Sequence, residues 1–107
     1  MIKVIPALRI PKNPRREISH VLFEDEKTRI EIIVDPKGFS NPPDFWYDQE
    51  WDEFVKVRYG EADLLFKDGN QIIKMTRGES IYIPAHLKHR VERTLSTTVW
   101  DAIFYKK

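Results

Sequence analysis

The chain has no cysteine among its 107 residues, only four glycines, and almost no excess of charge, with 18 Lys and Arg against 17 Asp and Glu. Without cysteine there are no disulfides, thiolate nucleophiles, zinc fingers or iron–sulfur ligands, and any metal would be held by His, Asp, Glu or Gln. A formal net charge of +1 sets up no field that gathers a polyanion, so neither nucleic acid nor a membrane surface is expected as a partner. No apolar stretch approaches the roughly 18 residues that span a bilayer. The opening segment is broken by Lys3 and Pro6 before a signal-peptide core can form. A soluble, cytoplasmic protein is expected, with one domain over residues 1–107, since chains split into separate cores only beyond about 250 residues.

What the chain does have is turn punctuation. Prolines at 6, 11, 14, 36, 42, 43 and 84 leave little room for ordinary helices before residue 44. Short apolar-rich segments at 18–23, 29–34, 53–59, 62–66, 71–75, 80–83, 89–94 and 99–105 read as strands. In the third of these Val55, Val57 and Tyr59 alternate with Lys56 and Arg58, a period of two that suits a half-buried strand. Asp68-Gly69-Asn70 between two apolar runs is a hairpin signal. Short strands at this spacing predict an all-β sandwich, barrel or jelly roll. A helix over Asp44–Arg58 is the rival, disfavoured by its Phe, Trp, Tyr and Val content. Residues 1–17, with the basic stretch Lys12–Arg16, read as an N-terminal arm or first strand.

Strand parity selects a few polar residues. Tyr47, Gln49 and Glu53 share parity with Val55 and Val57, so all five face the interior if the valines are core. A buried carboxylate is costly without a partner. His89, which shares inward parity with Val91, is the natural one across a barrel.

Glu53, six residues and Gly60, followed beyond a hairpin by Gly78, five residues, Pro84 and then His89, resemble the two motifs of the cupin superfamily, H-x-H-x(3,4)-E-x6-G and G-x5-P-x-G-x2-H-x3-N. The resemblance covers residues 45–105. It implies a cupin-type double-stranded β-helix (jelly-roll barrel), a divalent metal ion such as iron, manganese, nickel or zinc, and a small-molecule ligand in the barrel mouth. Together with the exposed sheet edge of a small jelly roll, it also implies a homodimer. The chain departs from the motifs where Tyr47 and Gln49 replace the two His, His86 replaces Gly, and Arg93 replaces Asn. Carried over residue by residue, the metal ligands become Gln49, Glu53 and His89, with His86 a further one if the turn after Pro84 brings it alongside His89.

Glu53 and Tyr47 are the candidates for catalysis, Tyr47 as a proton or hydrogen-bond donor to substrate oxygen. Trp46 and Trp51 are candidate pocket walls and equally candidate interface residues. Asp101, between apolar neighbours, either projects into the barrel as a further carboxylate or pairs with Arg90 or Arg93. Glu53 and His89 equally suit a buried charge-assisted hydrogen bond that only fixes the core. Two functions follow. One is a metal-dependent oxygenase, isomerase or lyase acting on a small polar metabolite. The other is a non-catalytic, metal-free ligand-binding or structural module.

Overall fold

Every predicted strand forms within one residue of its expected ends: β1 (Ile18–Glu24), β2 (Thr28–Asp35), β3 (Asp52–Tyr59), β4 (Glu61–Phe66), β5 (Gln71–Thr76), β6 (Ser80–Ile83), β7 (His89–Thr94) and β8 (Thr98–Tyr105). The computed structural model describes all 107 residues. The rival helix at 44–58 is absent, and the one helical turn is the 3-10 turn Asp68–Asn70 in the β4–β5 hairpin. No helix is long and apolar enough to cross a membrane.

The strands form two antiparallel sheets, a five-stranded one in the order β1-β2-β8-β3-β6 and a three-stranded one in the order β5-β4-β7. The architecture is a jelly roll. Period-two patterning sorts the faces: on β3 Val55 and Val57, and on β8 Trp100, Ala102 and Phe104, are buried between the sheets, where Leu64, Met75 and Ile83 meet them. The chain passes from β3 to β4 and from one sheet to the other at Gly60. Its φ of +93° and the closeness of the Thr97 carbonyl, 2.5 Å from where a Cβ would stand, leave room for no side chain.

Two segments are less regular, and both shape the site. Residues 38–47, held out of a strand by Pro42 and Pro43, run beside β7 and bond to it in steps: Gly38 N–H to Thr94 O at 3.0 Å, Asn41 N–H to Val91 O at 3.0 Å and Tyr47 N–H to His89 O at 2.8 Å. Strand β2 is turned against the usual sense. Its apolar residues Ile32 and Val34 face outward and are buried there by Leu8 and Ile10 of the N-terminal arm together with Ile18 and Leu22. Its polar residues Arg29, Glu31 and Asp35 therefore face the space between the sheets.

Candidate active site

A cavity of about 310 Å³ opens between the two sheets. Ile33, Val55, Leu64, Ile83 and Val91 supply apolar wall, and polar groups converge from two sides.

On the first side, β3 and β7 bring Glu53 and His89 face to face across the barrel. His89 Nε2 lies 3.4 Å from Glu53 Oε1, with 6% and 10% of the respective side chains exposed. The imidazole is fixed from behind, where Nδ1–H donates to the Leu87 carbonyl at 2.8 Å, and flanked by the rings of Phe66 and Tyr47 with centroids at 5.7 and 5.5 Å. Gln49 donates its side-chain N–H to Glu53 Oε1 at 2.9 Å. Tyr47 reaches the same cavity although residues 48–51 form no strand, because its backbone forms a single bridge with His89. Burial, aided by the negative charge of Glu17, pushes its hydroxyl up to about 12. It is a proton donor at neutral pH. The four residues read from parity, Tyr47, Gln49, Glu53 and His89, all line this cavity.

The second side was not anticipated. Glu17 precedes β1 and Ser19 lies within it, and Arg29, Glu31 and Asp35 project from β2. Asp35 is 1% exposed. Its Oδ2 accepts the Trp100 indole N–H at 3.0 Å, its buried Oδ1 has no other donor in the protein, and its carboxyl meets that of Glu17. Two acceptors satisfy one another only when they share a proton. Burial first, and then Glu17, push the Asp35 carboxyl up to about 9. Burial likewise raises Glu31, against the lowering effect of Arg29, whose Nε stands 3.3 Å from Glu31 Oε2. The signal for this side lies in the alternation of Arg29, Glu31 and Asp35 with Ile30, Ile32 and Val34. The apolar face of such a strand is ordinarily assigned to the core.

Four predicted site residues lie elsewhere. His86 stands where the motif has Gly and adopts a φ of +66°, a left-handed conformation that His tolerates better than most side chains. Its ring points outward to Asp48 Oδ1 at 2.9 Å and is 66% exposed, so it does not join His89. Trp46 packs under the Arg90 guanidinium, 4.6 Å from its ring centre, and Trp51 lies between Arg29 and Lys106 at 5.8 and 4.7 Å. Neither lines the cavity. Asp101 faces outward and pairs with Arg58 at 2.5 Å, not with Arg90 or Arg93. β3 and β8 are neighbours, which sets residues 58 and 101 on one outer surface.

The donor set does not suit a resident divalent metal. Glu53 and His89 are two strong ligands where a tight site takes three from the protein, and no group of three His, Cys, Asp or Glu converges anywhere in the chain. Gln49 turns an N–H, not a lone pair, toward the shared Glu53 oxygen. What does fit between two facing acceptors is a proton.

A jelly roll whose mouth holds an imidazole–carboxylate pair from facing sheets defines a class of small barrel proteins. The chain belongs to the cupin superfamily. It is 34% identical to a Ralstonia eutropha protein provisionally named a mannose-6-phosphate isomerase, with 92% of each chain covered and a TM-score of 0.84. At lower identity it shares its fold with a cupin superfamily protein of Desulfitobacterium hafniense (18%, 92% of this chain and 84% of that one, TM-score 0.78). It also shares it with a polyketide cyclase of Streptomyces resistomycificus (17%, 100% and 81%, TM-score 0.77). No family model and no curated protein matches the chain.

Proposed function

We propose that the protein is a proton-transfer enzyme acting on a small polar hydroxy-carbonyl metabolite, with Glu53 as base and His89 as acid. The observation that carries this reading is the pair itself, two side chains nine-tenths buried and 3.4 Å apart on the wall of a cavity. The isomerase name of the Ralstonia eutropha relative supports it. Here the Glu53 carboxylate takes a proton from the carbon beside the carbonyl, and the bonding electrons move onto the carbonyl oxygen. His89 enters the step as the imidazolium, with Nδ1–H held by the Leu87 carbonyl, and gives its Nε2 proton to that oxygen. Glu53 then returns its proton to the neighbouring carbon while a hydroxyl proton restores His89, and the isomerisation is balanced. Gln49 holds the Glu53 carboxylate in place, and Tyr47 donates to a substrate oxygen.

The test is incubation of small hydroxy-aldehydes, hydroxy-ketones and sugars in D2O, with carbon-bound deuterium followed by NMR. Glu53→Gln is expected to cut exchange by at least about 100-fold. A compound that binds but never exchanges above the Glu53→Gln background would make the protein a non-catalytic ligand-binding module. After incubation with iron, manganese, nickel and zinc, less than about one tenth of an ion per chain is expected. A stoichiometric ion, lost in both Glu53→Ala and His89→Ala, would replace the acid–base reading with a metal-dependent one.

A homodimer belongs to the same proposal. Phe23, Ile30, Ile103, Phe54 and Tyr82 are cross-strand neighbours in one unbroken row over the outer face of the five-stranded sheet. Four of them are 38–48% exposed. The arm residues Met1, Ile2 and Val4 are bare as well, at 84% exposure or more. A second copy supplies matching apolar surface on both counts.

A further inference from the structure

The chemistry above uses one side of the cavity and leaves the acidic side without a task. Glu17, Glu31, Asp35 and Glu53 all line the space, and the only permanently cationic group among the lining residues is Arg29. Its charge is already engaged by Glu31 at 3.3 Å and lies over the Phe104 ring, 4.6 Å from its centre. The Glu17–Asp35 end is left with negative charge: two facing carboxyls with one proton between them, and an Asp35 Oδ1 that no other protein donor reaches. Trp100, bonded to Asp35, and Tyr47, whose hydroxyl feels the charge of both carboxyls, stand on the walls beside it. Carboxylates backed by aromatic faces are the surroundings that favour an organic cation over water. They are the opposite of a phosphate site, which needs Arg, Lys or free backbone N–H groups.

We propose that the Glu17–Asp35 end of the cavity recognises the primary ammonium of a small amino-alcohol or amino-sugar, which takes the place of the proton between the two carboxyls and donates its N–H bonds to both. The substrate's hydroxy-carbonyl portion then lies toward Glu53 and His89. This rests on the reading of the cavity as a ligand site and adds its charge class: a cation and not a phosphorylated sugar. The volume of about 310 Å³ is that of roughly ten waters, enough for a compact molecule with an ammonium at one end.

The Trp100 indole N–H donates to Asp35, so its NMR signal reports on this end directly. In a Trp46→Phe/Trp51→Phe background Trp100 gives the single indole resonance of the three-tryptophan chain. Titration with ethanolamine is expected to move that resonance to saturation. Ethylene glycol, in which a hydroxyl replaces the ammonium, should need at least tenfold more, and inorganic phosphate at matched ionic strength should do nothing. Asp35→Asn and Glu17→Gln should each weaken ethanolamine at least tenfold, whereas Asp101→Asn, on the outer surface, should change it less than threefold. Phosphate or ethylene glycol acting at the concentration of ethanolamine would overturn the proposal. So would unweakened binding in whichever of the two acidic-end variants folds. If ethanolamine binds as expected and no compound undergoes exchange in D2O, the ammonium site stands and the proton-transfer reading falls.

Discussion

Replacing Asp35 with Asn should make the protein more stable than wild type by a margin that widens steadily from pH 5 to pH 8. The Asp35 carboxyl is pushed from 3.8 up to about 9 in the fold, so between those limits the folded chain holds a proton that the unfolded chain releases. A group whose folded pKa is raised contributes stability that is fully present below its unfolded pKa and is lost as pH rises. The slope is at most about 1.4 kcal/mol per pH unit for one proton. From pH 5 to pH 8 this amounts to a ceiling of about 4 kcal/mol, counted once because the proton belongs to the Glu17–Asp35 pair. The introduced amide keeps the shape of the protonated acid. Its carbonyl still accepts the Trp100 indole N–H, and its N–H donates to Glu17 where the shared proton stood. Wild type and Asp35→Asn would be unfolded in urea at pH 5, 6, 7 and 8 at one fixed protein concentration, since a dimer couples stability to concentration. The variant should gain on wild type with every unit, its advantage growing by up to about 4 kcal/mol between pH 5 and pH 8. Glu31, also raised by burial, is present in both proteins and cancels in the difference. Parallel pH profiles would show that Asp35 is ionised in the fold and that the shared-proton reasoning is wrong.

Two further substitutions test the fold and the assembly. Gly60→Ala would place a Cβ 2.5 Å from the Thr97 carbonyl and 2.7 Å from the Thr98 Cα, at a cost of about 3 kcal/mol or more in urea unfolding. Gly78→Ala, at a similar φ of +89° but in open space, should cost about 1–2 kcal/mol, and equal losses would refute the close-approach argument. Phe54→Asp, in the middle of the outer apolar row, should shift the mass measured by light scattering from two chains to one while leaving the far-ultraviolet circular dichroism unchanged. A wild type that runs as one chain at high concentration would refute the dimer.

How far the sequence carried depended on which force set each feature. Strand limits were legible because a period of two and a turn residue act within a few neighbours. Glu53 and His89 were legible because parity alone places them between the sheets once the valines beside them are core. Asp101 was legible as half of an ion pair, but not its partner, since only the β3–β8 pairing brings Arg58 to it. His86 misled for a local reason: the spacing after Pro84 fits a turn, but a left-handed residue at its corner sends the ring outward to Asp48. The acidic side was hidden by a long-range cause. Strand β2 alternates cleanly, and by itself would bury Ile32 and Val34 and expose Glu31 and Asp35. It does the reverse because Leu8 and Ile10, more than twenty residues earlier, cover the apolar face from outside. The arm is therefore part of the site's construction. It is what allows a strand to turn carboxylates toward the barrel interior, where burial holds a proton between Asp35 and Glu17.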